Sequence, residues 1–163
     1  MKKLIYVIII CLIVLSACAG DASTEPAEPV GQVQLANPWK NYDTLADAEQ
    51  ACSLTYPVPE NVPAGYVAES YSVMSNRLLE ITYRNGETEI TVRMQSGDDP
   101  DISGVYETFL STETTQQNGA SVTCKRAEDS VVYLVQLSGC FFSIYGTDLS
   151  AEEDCQQILN HIC

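Results

Sequence analysis

Two periods of hydrophobicity divide this chain into strands and helices. Over residues 78–94 apolar and polar side chains alternate, with Leu79, Ile81, Tyr83, Ile90, Val92 and Met94 in phase, the period of a strand with one buried face. Asn85-Gly86 breaks the run and offers the positive φ angles of a type I′ turn, so the segment predicts a hairpin. That turn sets Tyr83 against Thr88, Ile81 against Ile90 and Leu79 against Val92 on the buried side. The wet side then carries Glu80, Thr82, Arg84, Glu87, Glu89, Thr91 and Arg93. Cross-strand ion pairing is the ordinary meaning of such a face, and Glu80, Arg84, Glu89 and Arg93 also make it a possible interaction surface.

Further alternation predicts more strands. Residues 66–74 put Val67, Tyr71 and Val73 on one face. Residues 104–117 and 120–126 flank Asn118-Gly119, and residues 131–137 and 140–145 flank Ser138-Gly139. With tight turns at both places, Val122, Cys124, Tyr133, Val135, Leu137, Cys140, Phe142 and Ile144 share a face.

Helical signals stand at the two ends of this run. Thr44 can cap a helix of two to three turns, with Asp47 three positions on and Leu45, Ala48 and Cys52 along one side. Near the end of the chain, Ser150 and Glu153 read as a capping box ahead of the stripe Cys155, Ile158, Leu159 and Ile162. The pattern predicts an α+β domain: an antiparallel sheet of about six strands in meander and hairpin order, with an N-terminal and a C-terminal helix on one face.

The first residues follow neither period. Lys2 and Lys3 precede an unbroken apolar run over residues 4–15, then Ser16, Ala17 and Cys18. This is the order of a secretory signal, and Leu15-Ser16-Ala17-Cys18 reads as a lipobox in which Cys18 takes a diacylglyceryl group and cleavage falls just before it. Twelve residues of helix rise only about 18 Å, well short of a hydrocarbon core of roughly 30 Å. Residues 1–17 are thus expected to be a lipoprotein signal, residues 18–36 a lipidated cysteine with a disordered Ala-, Glu- and Pro-rich tether, and residues 37–163 one domain. A cell-membrane location, lipid-anchored on the extracytoplasmic face, follows from that reading.

Charge narrows the partners. Once Lys2 and Lys3 leave with the signal, six basic residues face twenty-two acidic ones, a formal charge of −16. Such acidity repels phosphate backbones and argues against nucleic acid as a ligand. The membrane through Cys18, and an envelope protein, remain as partners.

The order of motifs resembles the domain of unknown function 4367 family. The resemblance rests on Asn37-Pro38-Trp39, the Thr44 helix, the proline-punctuated loop over residues 57–65, the LLEITYRNGETEITVRM hairpin, Asp101-Ile102-Ser103-Gly104 with Tyr106, and the helix after Leu149-Ser150. It implies an extracytoplasmic module of Gram-positive bacteria, found on lipoproteins and beside anti-sigma-factor segments, and it implies no catalytic residue.

Several constellations invite chemistry and then fall short. Asp99, Asp101, Ser103 and Gly104 match the opening of a calcium loop, but the twelfth position, which should hold a bidentate glutamate, is Leu110. Asp99, Asp101 and Ser103 therefore remain weak metal candidates, with a turn built on aspartate and serine oxygens as the plainer reading. Five cysteines follow Cys18: Cys52, Cys124, Cys140, Cys155 and Cys163. They show no C-x-x-C spacing, and at most one disulfide is expected, from a sheet cysteine to the last helix. His161, the single histidine, sits where it favours the helix dipole. No cofactor and no catalytic set is expected. The function read from sequence is a non-enzymatic binding or sensing module of the envelope, with a carboxylate-dependent hydrolase or a weak calcium-binding domain as the alternative.

Overall fold

The computed structural model describes residues 36–54, 58–59 and 62–163. The signal, Cys18 and the tether up to residue 35 lie outside the described residues, as do residues 55–57 and 60–61 in and just before the proline-rich loop. All elements fall within the unit Asn37–Cys163.

Among the described residues the order is β1 (Trp39–Tyr42), α1 (Leu45–Ala51), β2 (Val67–Met74), β3 (Leu78–Asn85), β4 (Thr88–Ser96), β5 (Ser111–Gln117), β6 (Ala120–Arg126), β7 (Val131–Leu137), β8 (Cys140–Gly146) and α2 (Glu152–Ile162). The strands form one antiparallel sheet in the spatial order β1-β2-β3-β4-β8-β7-β6-β5. It is an α+β fold with eight strands, not six, and a helix near each end of the domain packed against the sheet. The strand that alternation did not predict is β1, and β5 begins at Ser111 rather than near Gly104. Nor is the sheet a simple meander. Two four-strand meanders meet where β4 pairs with β8, which puts β5 at the far edge.

Both helices pack on the face that carries Val73, Leu79, Ile81, Ile90, Val92, Met94, Tyr133, Val135, Phe142 and Ile144, all buried. Ala48 of α1 and Cys52, which follows its last turn, cover it at one end, and Cys155, Ile158, Leu159 and Ile162 cover it from α2. Thr44 caps α1 as expected, its hydroxyl accepting from the Asp47 backbone N–H at 3.2 Å. At α2 the cap differs. Asp148, not Ser150, accepts the first backbone N–H, that of Ser150, at 2.7 Å, and a 3-10 turn over Leu149–Ala151 leads into the helix. The acidic side chain two residues upstream reaches the unpaired N–H groups before Ser150 itself enters the turn.

Two register features depart from the alternation. The β3–β4 turn is centred on Gly86-Glu87, with positive φ only at Gly86, so Asn85 pairs with Thr88, Tyr83 with Ile90, Ile81 with Val92 and Leu79 with Met94. A single positive φ at the first central position is the type II′ pattern, not I′. The slip moves one residue on each strand, which changes the partners and preserves the faces. In β2 the register shifts between Ala68 and Ser70, and this bulge reverses the parity ahead of it. Val67 is therefore 67% exposed, opposite Arg84, while Tyr71 and Val73 stay on the core side. The turns at Asn118-Gly119 and Ser138-Gly139 each have two positive φ values, as type I′ demands.

The expected bridge to the last helix does not form: Cys155 and Cys163 are thiols, as are Cys52 and Cys124. Burial pushes the Cys155 thiol up to about 12, and it packs as a small hydrophobe against Gly146 and Ala151.

Candidate functional site

Because β8, β7 and β6 lie between β4 and β5, the chain after Ser96 must travel across the sheet to reach β5. Residues 97–110 make that journey over the face opposite the helices. Ile102 is their anchor, buried between Leu78 of β3 and Phe141 of β8, with Trp39 and Met74 packed alongside. An α+β sheet covered by helices on one side thus carries a second, smaller apolar cluster under an irregular strap.

The strap is folded by its own aspartates. Asp99 Oδ1 accepts from the Asp101 N–H at 3.2 Å, Asp101 Oδ1 accepts from the Ser103 N–H at 3.2 Å and from the Ser103 hydroxyl at 2.6 Å, and Ser103 Oγ accepts from the Val105 N–H at 3.3 Å. These are consecutive side-chain turns that satisfy backbone donors where no strand can.

Two basic residues clamp the strap to the sheet. Lys125 of β6 reaches Asp101 Oδ2 at 2.6 Å and lies 5.2 Å from the centroid of the Phe109 ring. Arg93 of β4 donates through Nε to Glu80 at 2.7 Å and through Nη1 to the backbone carbonyls of Ile102 and Ser103. The same guanidinium lies 5.5 Å from the Trp39 ring centroid, so its planar fork is held on three sides. Gly104 has φ +66, and a Cβ there would overlap the Arg93 guanidinium; glycine is what lets the strap come so close. Burial alone would raise the Asp101 pKa, but hydrogen bonds from Lys125 and Ser103 outweigh it and hold the carboxyl below the usual carboxylate range. Farther along, Ser130 Oγ donates to Glu107 at 2.7 Å and the Leu110 N–H to the Arg126 carbonyl at 2.7 Å.

Held this way, the strap displays apolar side chains to solvent. Tyr106 is 98% exposed and Leu110 75% exposed. A cleft of about 190 Å³ lies between the strap and β1 to β4, lined by Trp39, Met74, Leu78, Arg93, Ile102 and Tyr106 among others. Beneath the strap side of β8, Ser143 is buried, and its hydroxyl has no hydrogen-bond partner among the described residues.

The structure divides the expected interaction face of β3 and β4. Glu80 and Arg93, with one fifth or less of each side chain exposed, are taken up in the clamp. Arg84 lies farther along, donating to Glu69 at 2.8 Å and to Glu89 at 2.6 Å, and the hydrogen bond it donates to Glu69 raises its pKa. Of the metal candidates, Asp101 and Ser103 bond to each other and to the clamp, and Asp99 accepts a backbone N–H. Among the described residues no group of three or more His, Cys, Asp or Glu side chains is placed to hold a metal ion. His161 is exposed in the last turn of α2. On the helix face, Arg126 grips Glu152 through Nη2 at 2.6 Å and Nε at 3.0 Å. That bond, working against burial, holds the Glu152 carboxyl below its usual range.

Lys125 and Glu69 are the site residues that sequence patterning did not assign. Alternation places Lys125 on the wet side of β6, but its partner is twenty-four residues upstream and leaves no local mark. Glu69 sits at the β2 bulge, where period-2 counting loses its meaning.

Comparison with family models, characterised proteins and solved structures returns no match for this chain. No helix among the described residues is long and apolar enough to cross a membrane.

Proposed function

We propose that this chain is a lipid-tethered, extracytoplasmic binding module without catalytic activity, and that the strapped face of the sheet is its working surface. The tether rests on the Lys2-Lys3 charge, the short apolar run and the Cys18 lipobox. The resemblance of the motif order to the domain of unknown function 4367 family, read from the sequence alone, is in keeping with this.

One observation carries the choice of surface. Tyr106 stands 98% exposed on a segment that Arg93 and Lys125 pin to the sheet. Binding residues are found disproportionately on loops positioned by a rigid scaffold, and an aromatic ring on a fixed platform offers contact area at small ordering cost. The cleft between Trp39 and Tyr106 gives that ring a neighbouring concavity lined by both apolar side chains, Met74, Leu78 and Ile102, and polar ones, Arg93 and Gln95. The opposite face is closed by α1 and α2.

The partner this surface fits is an envelope protein, since the acidity of the chain disfavours polyanions. Membranes from cells carrying the chain, cross-linked and captured through it, should yield a partner that Tyr106→Ala loses. Capture that is indifferent to Tyr106 would remove the strap from the reading. Cys18→Ser should release the chain from the membrane fraction, and an unaltered distribution would remove the tether.

A further inference from the structure

Among the described residues four large apolar side chains are exposed, and two of them, Tyr106 and Leu110, stand on the strap. The end of the strap that carries them is tied to the β6–β7 turn. The Leu110 N–H donates to the Arg126 carbonyl at 2.7 Å and Ser130 Oγ donates to Glu107 at 2.7 Å. The turn itself is closed by the Ala127 N–H on the Ser130 carbonyl at 3.0 Å. Its two exposed residues, Glu128 and Asp129, are thereby brought beside Glu107 and the apolar pair.

This surface has few cations of its own. Asp98, Asp99, Glu107, Glu128 and Asp129 are exposed, and none of the five is in an ion pair among the described residues. The neighbouring bases are already committed, Lys125 to Asp101, Arg93 to Glu80 and Arg126 to Glu152. Arg77, which lines the trough beside Asp98 and Asp99, is one positive charge against those five. The carboxylates are also spread out. No group of three or more is placed to hold a metal ion among the described residues, so their charge is complementary to cations spaced along a chain and not to a single ion.

We propose that the partner engages the strap through a basic segment, with lysine or arginine stems laid against Tyr106 and Leu110 and their charged heads at Glu107, Glu128 and Asp129. The apolar pair makes the contact area, and the carboxylates select its occupant. Lysine and arginine suit both parts, because their methylene stems cover apolar surface while the head keeps its charge in water. A cation over the free Tyr106 ring gains further from the ring's negative face. The inference rests on the strapped face being the working surface, and it adds the chemistry of what that face takes.

Titration of the full chain, in an uncharged detergent, with a labelled lysine-leucine peptide tests it, beside glutamate-leucine and lysine-serine peptides of equal length. The expected result is saturable binding of the lysine-leucine peptide that weakens as salt rises, with the other two peptides clearly weaker. Glu128→Gln with Asp129→Asn should weaken it about fivefold, and Tyr106→Ala about tenfold or more. Asp43→Asn with Glu49→Gln removes the same charge from exposed positions at α1 and should leave the affinity within about twofold. Circular dichroism matching the parent's certifies each variant as folded. Equal losses from the two charge-removing pairs would mean diffuse attraction to an acidic chain and would overturn the proposal, as would no binding of the lysine-leucine peptide. In either case a partner that is captured from membranes and lost with Tyr106→Ala would still uphold the strapped face as the working surface.

Discussion

Arg93 Nε and Glu80 Oε2 stand 2.7 Å apart across the β3–β4 ladder, at positions directly opposite in register. An ion pair on a wet sheet face contributes little, but this guanidinium also serves two strap carbonyls. Arg93→Ala leaves Glu80 and both carbonyls without their donor, at a cost of about 2–3 kcal/mol in urea unfolding. Arg84→Ala, at the exposed pair with Glu69 and Glu89, should leave the midpoint nearly unmoved. Equal effects of the two substitutions would mean that the strap does not lean on Arg93.

Acid should loosen the strap before it unfolds the sheet. The Asp101 pKa is lowered in the fold despite burial, through Lys125 and Ser103, so its stabilising contribution is complete above the ordinary carboxylate pKa of about 3.9 and is lost as pH falls through the lower folded value. Glu152 adds a contribution of the same sign through Arg126. Carboxylate NMR titration should place Asp101 below the usual range in the parent and return it upward in Lys125→Ala. An unchanged titration in that variant would assign the shift to another cause.

Ser143 buries a hydroxyl that finds no partner among the described residues. A buried polar group without a hydrogen bond costs free energy, so Ser143→Ala should be neutral or stabilising, by up to about 1–2 kcal/mol. Thermal unfolding checks this, and a marked loss of stability would show that the hydroxyl has a partner in solution.

Ile81, 1% exposed at the centre of the sheet, should cost about 2–5 kcal/mol when cut to alanine. The same measurement on Val67→Ala should show almost nothing, because the β2 bulge turns Val67 to solvent. Large losses at both positions would mean that β2 runs without a bulge.

The parts of this fold that were legible in the sequence are those fixed by short-range chemistry. Alternation around Asn118-Gly119 and Ser138-Gly139 placed Val122, Tyr133, Val135, Phe142 and Ile144 on one buried face, and they lie there. The stripe on α2 and the Thr44 cap were readable for the same reason. β1 was not, because four residues, WKNY, are too few to display a period. The β3–β4 slip leaves no mark in the alternation, because Gly86 can serve at either central position of the turn and the faces survive the exchange. The strap was least legible. Its run from Val105 to Leu110 carries strand-forming residues, and only the sheet order, a long-range property, turns that run into a crossover. Arg84 and Arg93 therefore looked equivalent on one wet face, although one is exposed and the other is the clamp.

Site-specific photocross-linking tests the working surface most directly. A benzophenone side chain in place of Tyr106, and separately in place of Gln157 on the exposed side of α2, would be irradiated in intact cells carrying the full chain. A discrete adduct with one envelope protein from position 106, absent from position 157, is the result expected if the strapped face does the binding. Adducts from position 157 alone, or the same adducts from both positions, would contradict it.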